Sequence, residues 1–243
     1  MRDLQPGVLV RRVLSDLKAS GSEARRKHED WYYPSATPSF AASKQAGGDA
    51  RRLIWSHVRG KDGSEVLSLA KRLVAAGVRE SIHLAWDLVD RRPDCLAGCT
   101  ARDLRALEAG LDNWAAVDCF SVQVLGRAWL LGRVLDAAIH RRARSRDLWI
   151  RRSALVSTVP LNQRSRGGRG DPRRTLAVCR LLLDDREDMV VKAMSWALRA
   201  TAARDAGPVR AFLARHGNRV AARARREVGN KLRTGLKNPR SNR

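Results

Sequence analysis

SEVLSLAKRLVAAGVRESIHLAWDLV, residues Ser64 to Val89, is the stretch that decides how this chain folds. Val66, Leu69, Ala70, Leu73 and Val74 recur at the period of one helical face, and Gly77 stops the pattern. A second amphipathic run, Glu80 to Val89, starts at once, so the two read as a helical hairpin with a very short turn. Arg91-Arg92-Pro93 closes the pair, and the pattern begins again in both directions.

Upstream, helices are expected over Leu4 to Ala19 and from after Gly47-Gly48 to about Val58. Between them lie the Ser20-Gly21-Ser22 break and a charged run, Glu23 to Asp30, before Trp31-Tyr32-Tyr33-Pro34 and Thr37-Pro38 mark an irregular aromatic loop. Downstream, helices are expected over Ala101 to Ala109, around Trp114 and Asp118, and over Trp129 to His140, Asp147 to Val159, Arg173 to Leu183, Asp188 to Ala203, Val209 to His216 and Arg219 to Leu236. No segment alternates with period two over strand length. Pairs recurring every ~35 to 45 residues predict an all-α solenoid of antiparallel HEAT-like repeats, with a compact helical bundle as the alternative. The expected organisation is one domain over residues 1–238 and a polar basic tail, 239–243.

Charge narrows the partner. The 48 Lys and Arg against 25 Asp and Glu leave +23, far from the usual range of a small soluble domain, so a polyanion is the natural partner. The excess is uneven: residues 81–118 balance at −3, whereas residues 141–180 and 204–243 each carry +10. No long apolar run or leader-like segment is visible, so the expectation is a cytoplasmic protein with no membrane partner. Cys95 and Cys99 have no second pair or His at zinc-like spacing, which predicts mostly buried thiols and no metal.

Four places carry candidate chemistry. In LDNWAAVDCFSVQVL, Leu111 to Leu125, Asp112 can cap a helix that places Trp114 and Asp118 one turn apart. Val117, Phe120 and Val124 form its buried stripe, with Trp114, Asp118 and Leu125 along one margin. The bland reading is an Asp that pairs with an Arg and a Trp at the core edge. In DMVVKAMSWALRATAA, Val190, Ala193, Met194, Ala197 and Leu198 form the core stripe, and Trp196 falls outside it on the side of Lys192 and Arg199. An aromatic among cations suits phosphates and sugars, or it packs on the next helix pair. Arg152 falls inside the apolar stripe of Trp149, Val156 and Val159, so it needs a partner, with Asp118 a candidate, or must reach solvent along its stem. The Arg/Gly stretch LNQRSRGGRGDPRR, Leu161 to Arg174, has little to bury, and its glycines would let backbone N–H groups approach an anion. It reads as a DNA-backbone contact, or as a solvated loop.

The blocks DNWAAVD, WIRRSALVS, DDREDMVVKAMSWALRA and REVGNKLRTGLKNPR together resemble the HEAT-like-repeat DNA alkylation-repair glycosylases, the AlkC/AlkD-like superfamily, and most of all its AlkD-like branch. The resemblance spans roughly residues 50 to 238. It implies a solenoid whose concave basic face holds duplex DNA and a monofunctional enzyme, without cofactor, that excises N3- or N7-alkylated purines. It places the catalytic carboxylate on Asp118 and the aromatic walls on Trp114 and Trp196. The DNA-contacting arginine falls on Arg152, or on Arg151 if the register slips by one. Lys192, Arg199 and the loop arginines Arg164, Arg166 and Arg169 join the expected DNA contacts. Double-stranded DNA carrying alkylated purines is the implied partner, and the protein is expected to act as a monomer. The segment around Trp31-Tyr32-Tyr33-Pro34 matches the family poorly, which leaves its N-terminal aromatic unplaced. The rival reading is a HEAT-repeat protein that binds damaged or branched DNA without catalysis, a third is a protein scaffold, and retention of both Trp114 and Asp118 favours the enzyme.

Overall fold

In a computed structural model the structure describes residues 4–239, so residues 240–243 of the expected basic tail lie outside it. Among the described residues there are helices and no strand, and no helix is long and apolar enough to cross a membrane. The all-helical class with paired helices is therefore the observed one. The chain divides into two compact units, one up to Val124 and one from Leu125.

The first unit contains α1 (Pro6–Ala19), α2 (Glu23–Tyr32), α3 (Lys44–His57), α4 (Gly63–Ala75), α5 (Arg79–Arg91), α6 (Ala101–Leu107) and α7 (Trp114–Phe120). The stretch from Ser64 to Val89 is the α4/α5 hairpin. Asp62 and Glu65 close a capping box at the start of α4, satisfying amides that the helix cannot. Gly77 makes the turn at φ +69°, a left-handed conformation that a Cβ would strain. Val66, Leu69, Ala70, Leu73 and Val74 are buried as the periodicity predicts. Trp86 on α5 is fully buried, and its Nε1–H donates to the Leu107 carbonyl at 2.9 Å, so the indole loses water without losing a hydrogen bond.

Two upstream boundaries change, since helix reaches Tyr32 inside the expected irregular loop and α3 begins early. The charged run from Glu23 is a helix, α2, because the Ser22 hydroxyl caps it by accepting from the Arg25 amide. It buries no residue, which is why no apolar stripe announced it. Helix α3 starts before Gly47-Gly48 rather than after, with Ser43 as its cap, so both glycines sit inside a helix.

A π-helical turn, Ser121–Leu125, follows α7. The second unit then builds α8 (Gly126–Leu130), α9 (Asp136–Ala143), α10 (Leu148–Val156), α11 (Pro172–Leu181), α12 (Asp188–Ala202), α13 (Ala206–His216) and α14 (Ala222–Thr234). Here α10 packs on α12 and α12 on α14, while α9 packs on α11 and α11 on α13. Sequence-adjacent helices close the pairs between these two rows, the packing order of a helical repeat array. The single helix expected over Trp129 to His140 is two, because Gly132 turns the chain at φ +72° and the Arg133 amide folds back to the Ala128 carbonyl. Trp129 is buried and donates Nε1–H to Asp136 at 2.9 Å. Three of the four cysteines, Cys95, Cys99 and Cys179, are buried as expected, and burial pushes the Cys95 and Cys179 thiols up to about 12.

Candidate active site

Helix α7 presents Trp114 and Asp118 half-buried, while Val117, Phe120 and Val124 are fully buried. The expected sheltered carboxylate beside an indole thus forms on one helix. Two details differ. The cap is Asn113, whose Oδ1 accepts from the amides of Ala115 and Ala116, rather than Asp112. Leu125, expected on the same margin, is buried rather than half-sheltered.

Asp112 has another task. It accepts from the Ser35 hydroxyl at 2.7 Å and from the Ala36 amide at 2.6 Å, which ties the loop after α2 to the start of α7. Burial works to raise its pKa, but the hydrogen bonds from Ser35, Ala36 and Asn113 outweigh it and hold the carboxylate low. The tie carries the aromatic segment to Trp114. The Tyr32 ring meets Trp114 edge-on at 5.4 Å and Tyr33 does so at 6.3 Å, while Trp114 Nε1–H donates to the Tyr32 carbonyl at 3.4 Å. His28 stacks on Tyr32 at 6.0 Å, and Trp31 is 76% exposed at the end of the same helix. The segment that the sequence could not place thus packs its aromatic rings against Trp114. The adjacent Asp112-Asn113 pair was the available signal, since only one of two such residues can cap a helix.

In the second unit, the core stripe of α12 is buried and Trp196 is half-buried, off that stripe as expected. Lys192 pairs with Asp188 at 2.6 Å. Arg199 donates Nε–H to Ser195, and burial lowers its pKa against the raising effect of Glu227. Arg152 is 5% exposed and donates to the Met189 carbonyl of α12, while Arg151 is held by Asp185 at 2.7 Å and by the carbonyls of Ser145 and Arg146.

The Arg/Gly loop folds on itself, against expectation. Leu161 and Asn162 are buried, and the amides of Gly167, Gly168 and Gly170 donate to the carbonyls of Arg164, Gln163 and Leu161. Gly168 lies so close to the backbone of Pro160 and Leu161 that a Cβ would overlap their atoms. Its glycines serve this internal turn, so their amides are not the anion cradle that composition suggested. Arg164 and Arg169 remain exposed, whereas Arg166 is half-buried.

A basic stripe on α14 escaped the sequence reading. Ala222, Arg225, Arg226, Gly229, Asn230 and Arg233 follow the spacing of one helical face and line a groove of about 450 Å³. All three arginines are exposed, with no carboxylate partner among the described residues. The small Ala222 and Gly229 leave room between them. Reading the +10 terminal segment on a helical wheel would have found it.

The description of one family, the DNA alkylation repair enzymes, matches residues 13–232. The chain belongs to that family. The match covers both units, including Trp114, Asp118, Arg152 and Trp196. No curated protein matches the chain. A family member has a role in the repair of alkylated DNA, so a carboxylate beside an aromatic wall and a cationic helix face are to be read in terms of a nucleic acid substrate.

Proposed function

We propose that the protein is a monofunctional DNA glycosylase that hydrolyses the N-glycosidic bond of N3- or N7-alkylated purines in duplex DNA. The observation that carries this reading is the half-buried Asp118, one helical turn from Trp114, whose indole is packed by Tyr32 and Tyr33. Alkylation at N3 or N7 makes the purine cationic, so it departs with the bonding electron pair as a neutral base. Positive charge then develops on the deoxyribose. A fixed carboxylate stabilises that charge, and electron-rich ring faces add to it. Water adds to the sugar carbon and surrenders a proton to Asp118 or to solvent, leaving an abasic site. Trp196, in the second unit, is the other aromatic residue to which the family resemblance gives a substrate contact. In this reading a single monomeric array binds duplex DNA through Arg151, Lys192, Arg199, Arg164 and Arg169, with Arg225, Arg226 and Arg233 added, while the buried Arg152, expected as a contact, braces α12 instead.

The test is release of free base from duplexes containing N7-methylguanine or N3-methyladenine. Asp118→Asn is expected to slow release by on the order of 100- to 1,000-fold, the usual cost of removing one preorganised electrostatic contact, and to leave DNA affinity unchanged. If wild type binds these duplexes tightly and releases nothing, the non-catalytic reading replaces this one.

A further inference from the structure

The first unit contains a cavity of about 410 Å³ among α1, α3, α5 and α7, and the charges of its lining residues Glu29, Arg51, Arg79 and Glu80 sum to zero. Its two cations end on carboxylates, Arg51 on Asp87 and Arg79 on Glu29. Arg199 in the second unit is a different case. Half-buried on α12, it donates Nε–H to the Ser195 hydroxyl at 3.1 Å, and its two outer nitrogens have no hydrogen bond or ion pair among the described residues. A guanidinium keeps its charge at physiological pH, so this open fork suits an anion from outside the chain.

The hydroxyl that holds Arg199 is itself held. Ser195 is fully buried and donates to Glu227 Oε2 at 2.6 Å. Glu227, on α14, is 3% exposed; Arg223 Nε–H donates to its Oε1 at 3.2 Å, and Lys237 Nζ lies 3.6 Å from the same oxygen. Burial works to raise the Glu227 pKa, but the hydrogen bonds from Ser195 and Arg223 and the charges of Lys237 and Arg223 outweigh it, so the carboxylate is ionised. An ionised carboxylate only accepts. The single hydroxyl hydrogen of Ser195 is therefore committed to Glu227, which leaves the oxygen lone pairs for Arg199 and fixes the direction of both bonds. Packing alone would not require this arrangement. The two helices have a separate tie from Arg223 to Asp188 at 2.9 Å, and apolar residues of similar volume join helices at least as stably as a buried charge does.

Trp196 follows Ser195, and Arg199 lies three residues further on, so the indole and the guanidinium share a face of α12. We propose that Glu227 is a positioning residue: acting through the Ser195 hydroxyl, it aims the fork of Arg199 at a DNA backbone phosphate beside the nucleotide that Trp196 meets. The inference rests on the glycosylase reading for its substrate, and both Glu227 and Ser195 are too buried to touch that DNA themselves. Two N–H groups of one guanidinium match two phosphate oxygens only when its plane is held, which is what a fixed Nε partner does.

The test is a double-mutant cycle on the full chain, at a temperature where circular dichroism shows each variant folded. The readouts are the salt dependence of duplex affinity and the rate of base release from an N7-methylguanine duplex under excess enzyme. Arg199→Gln should flatten the slope of log affinity against log salt by about 0.9, the share of one phosphate. Ser195→Ala cuts the relay but leaves Glu227 with Arg223 and Lys237. Glu227→Gln turns its amide N–H groups towards Ser195, because Arg223 and Lys237 claim the oxygen, and so frees the hydroxyl hydrogen. Each of these two should slow base release by about tenfold and flatten the slope by up to about 0.9. In the Arg199→Gln background, Ser195→Ala should change neither readout further, since a positioning residue has no effect once the group it positions is gone. A merely structural role predicts the same loss from Ser195→Ala with or without Arg199, and that result overturns the proposal. So does a Ser195→Ala protein that matches wild type in both readouts. Should Glu227→Gln fail to fold, Ser195→Ala decides. Absence of base release by wild type would defeat the glycosylase reading alone, because the salt slopes score the relay without catalysis.

Discussion

Residues 1–124 carry 19 basic side chains against 16 acidic ones, a balance of +3, whereas residues 125–243 carry 29 against 9, a balance of +20. The first unit uses its cations internally: Arg51 on Asp87, Lys71 on Asp103, Arg79 on Glu29 and Arg92 on Asp94. Its cavity is neutral and contains an imidazole held uncharged. The second unit leaves the α14 stripe without carboxylate partners among the described residues and exposes Arg164 and Arg169. A net charge of +23 therefore describes neither unit. Under the proposed function the second supplies most of the non-specific attraction to phosphate, and the first supplies the carboxylate and most of the aromatic surface.

The largest break between the units should appear in salt dependence. Changing Arg225, Arg226 and Arg233 together to Gln should weaken binding to any duplex by on the order of tenfold or more and flatten the slope of log affinity against log salt by about 2 to 3, because each phosphate contact contributes ~0.9. Arg164→Gln with Arg169→Gln should flatten it by up to about 2. Arg51→Gln with Arg52→Gln in the first unit should leave the slope as it is. Equal slopes for both units' variants, measured by fluorescence anisotropy from 50 to 300 mM salt, would erase the comparison.

A smaller effect should come from Asp112, which positions the aromatic segment without touching substrate. Asp112→Ala releases Ser35 and Ala36, lets Tyr32 and Tyr33 drift from Trp114 and should slow base release by about tenfold, since misplacement by an ångström is enough to cost that much. Asp112→Asn keeps an acceptor for both donors and should recover most of the rate. Equal rates for Ala and Asn would mean that the carboxylate's charge, and not the tie, matters.

How much of this was readable follows the physics of each signal. The α4/α5 hairpin, the stripe of α12 and the Trp114/Asp118 pair rest on helical spacing, which the sequence records directly. Helix α2 was invisible because it buries nothing, and the π turn after α7 leaves no mark in hydrophobic spacing. The approach of Tyr32 to Trp114 depends on a hydrogen bond across 76 or 77 residues from Ser35 and Ala36 to Asp112. The Arg/Gly loop looked open because composition reports charge, whereas the glycine amides close three turns onto carbonyls of the same loop.

The smallest effect expected is also specific to the first unit. The ordinary His pKa of 6.5 falls to about 4 at His83, with burial the main cause and the Arg79 charge adding to it. Because the folded value lies below the unfolded one, the unfolded chain binds the proton more readily between these limits. The group's contribution is therefore fully present above pH 6.5 and is lost as pH falls towards 4. After allowance for a ring that still borders the cavity, wild type should lose about 1 to 2 kcal/mol from this source between pH 7 and pH 4.5, read as urea midpoints of the unfolding transition that reports on the first unit. His83→Phe should remove that component of the pH dependence, leaving the part due to carboxylates such as Asp103, whose hydrogen bonds from Lys71 and Thr100 bring it to about 2. If the full slope persists in His83→Phe, the imidazole is not kept neutral by the fold. The cavity lining of the first unit would then carry one positive charge in place of none, and the contrast with the arginine stripe of the second would narrow by that charge.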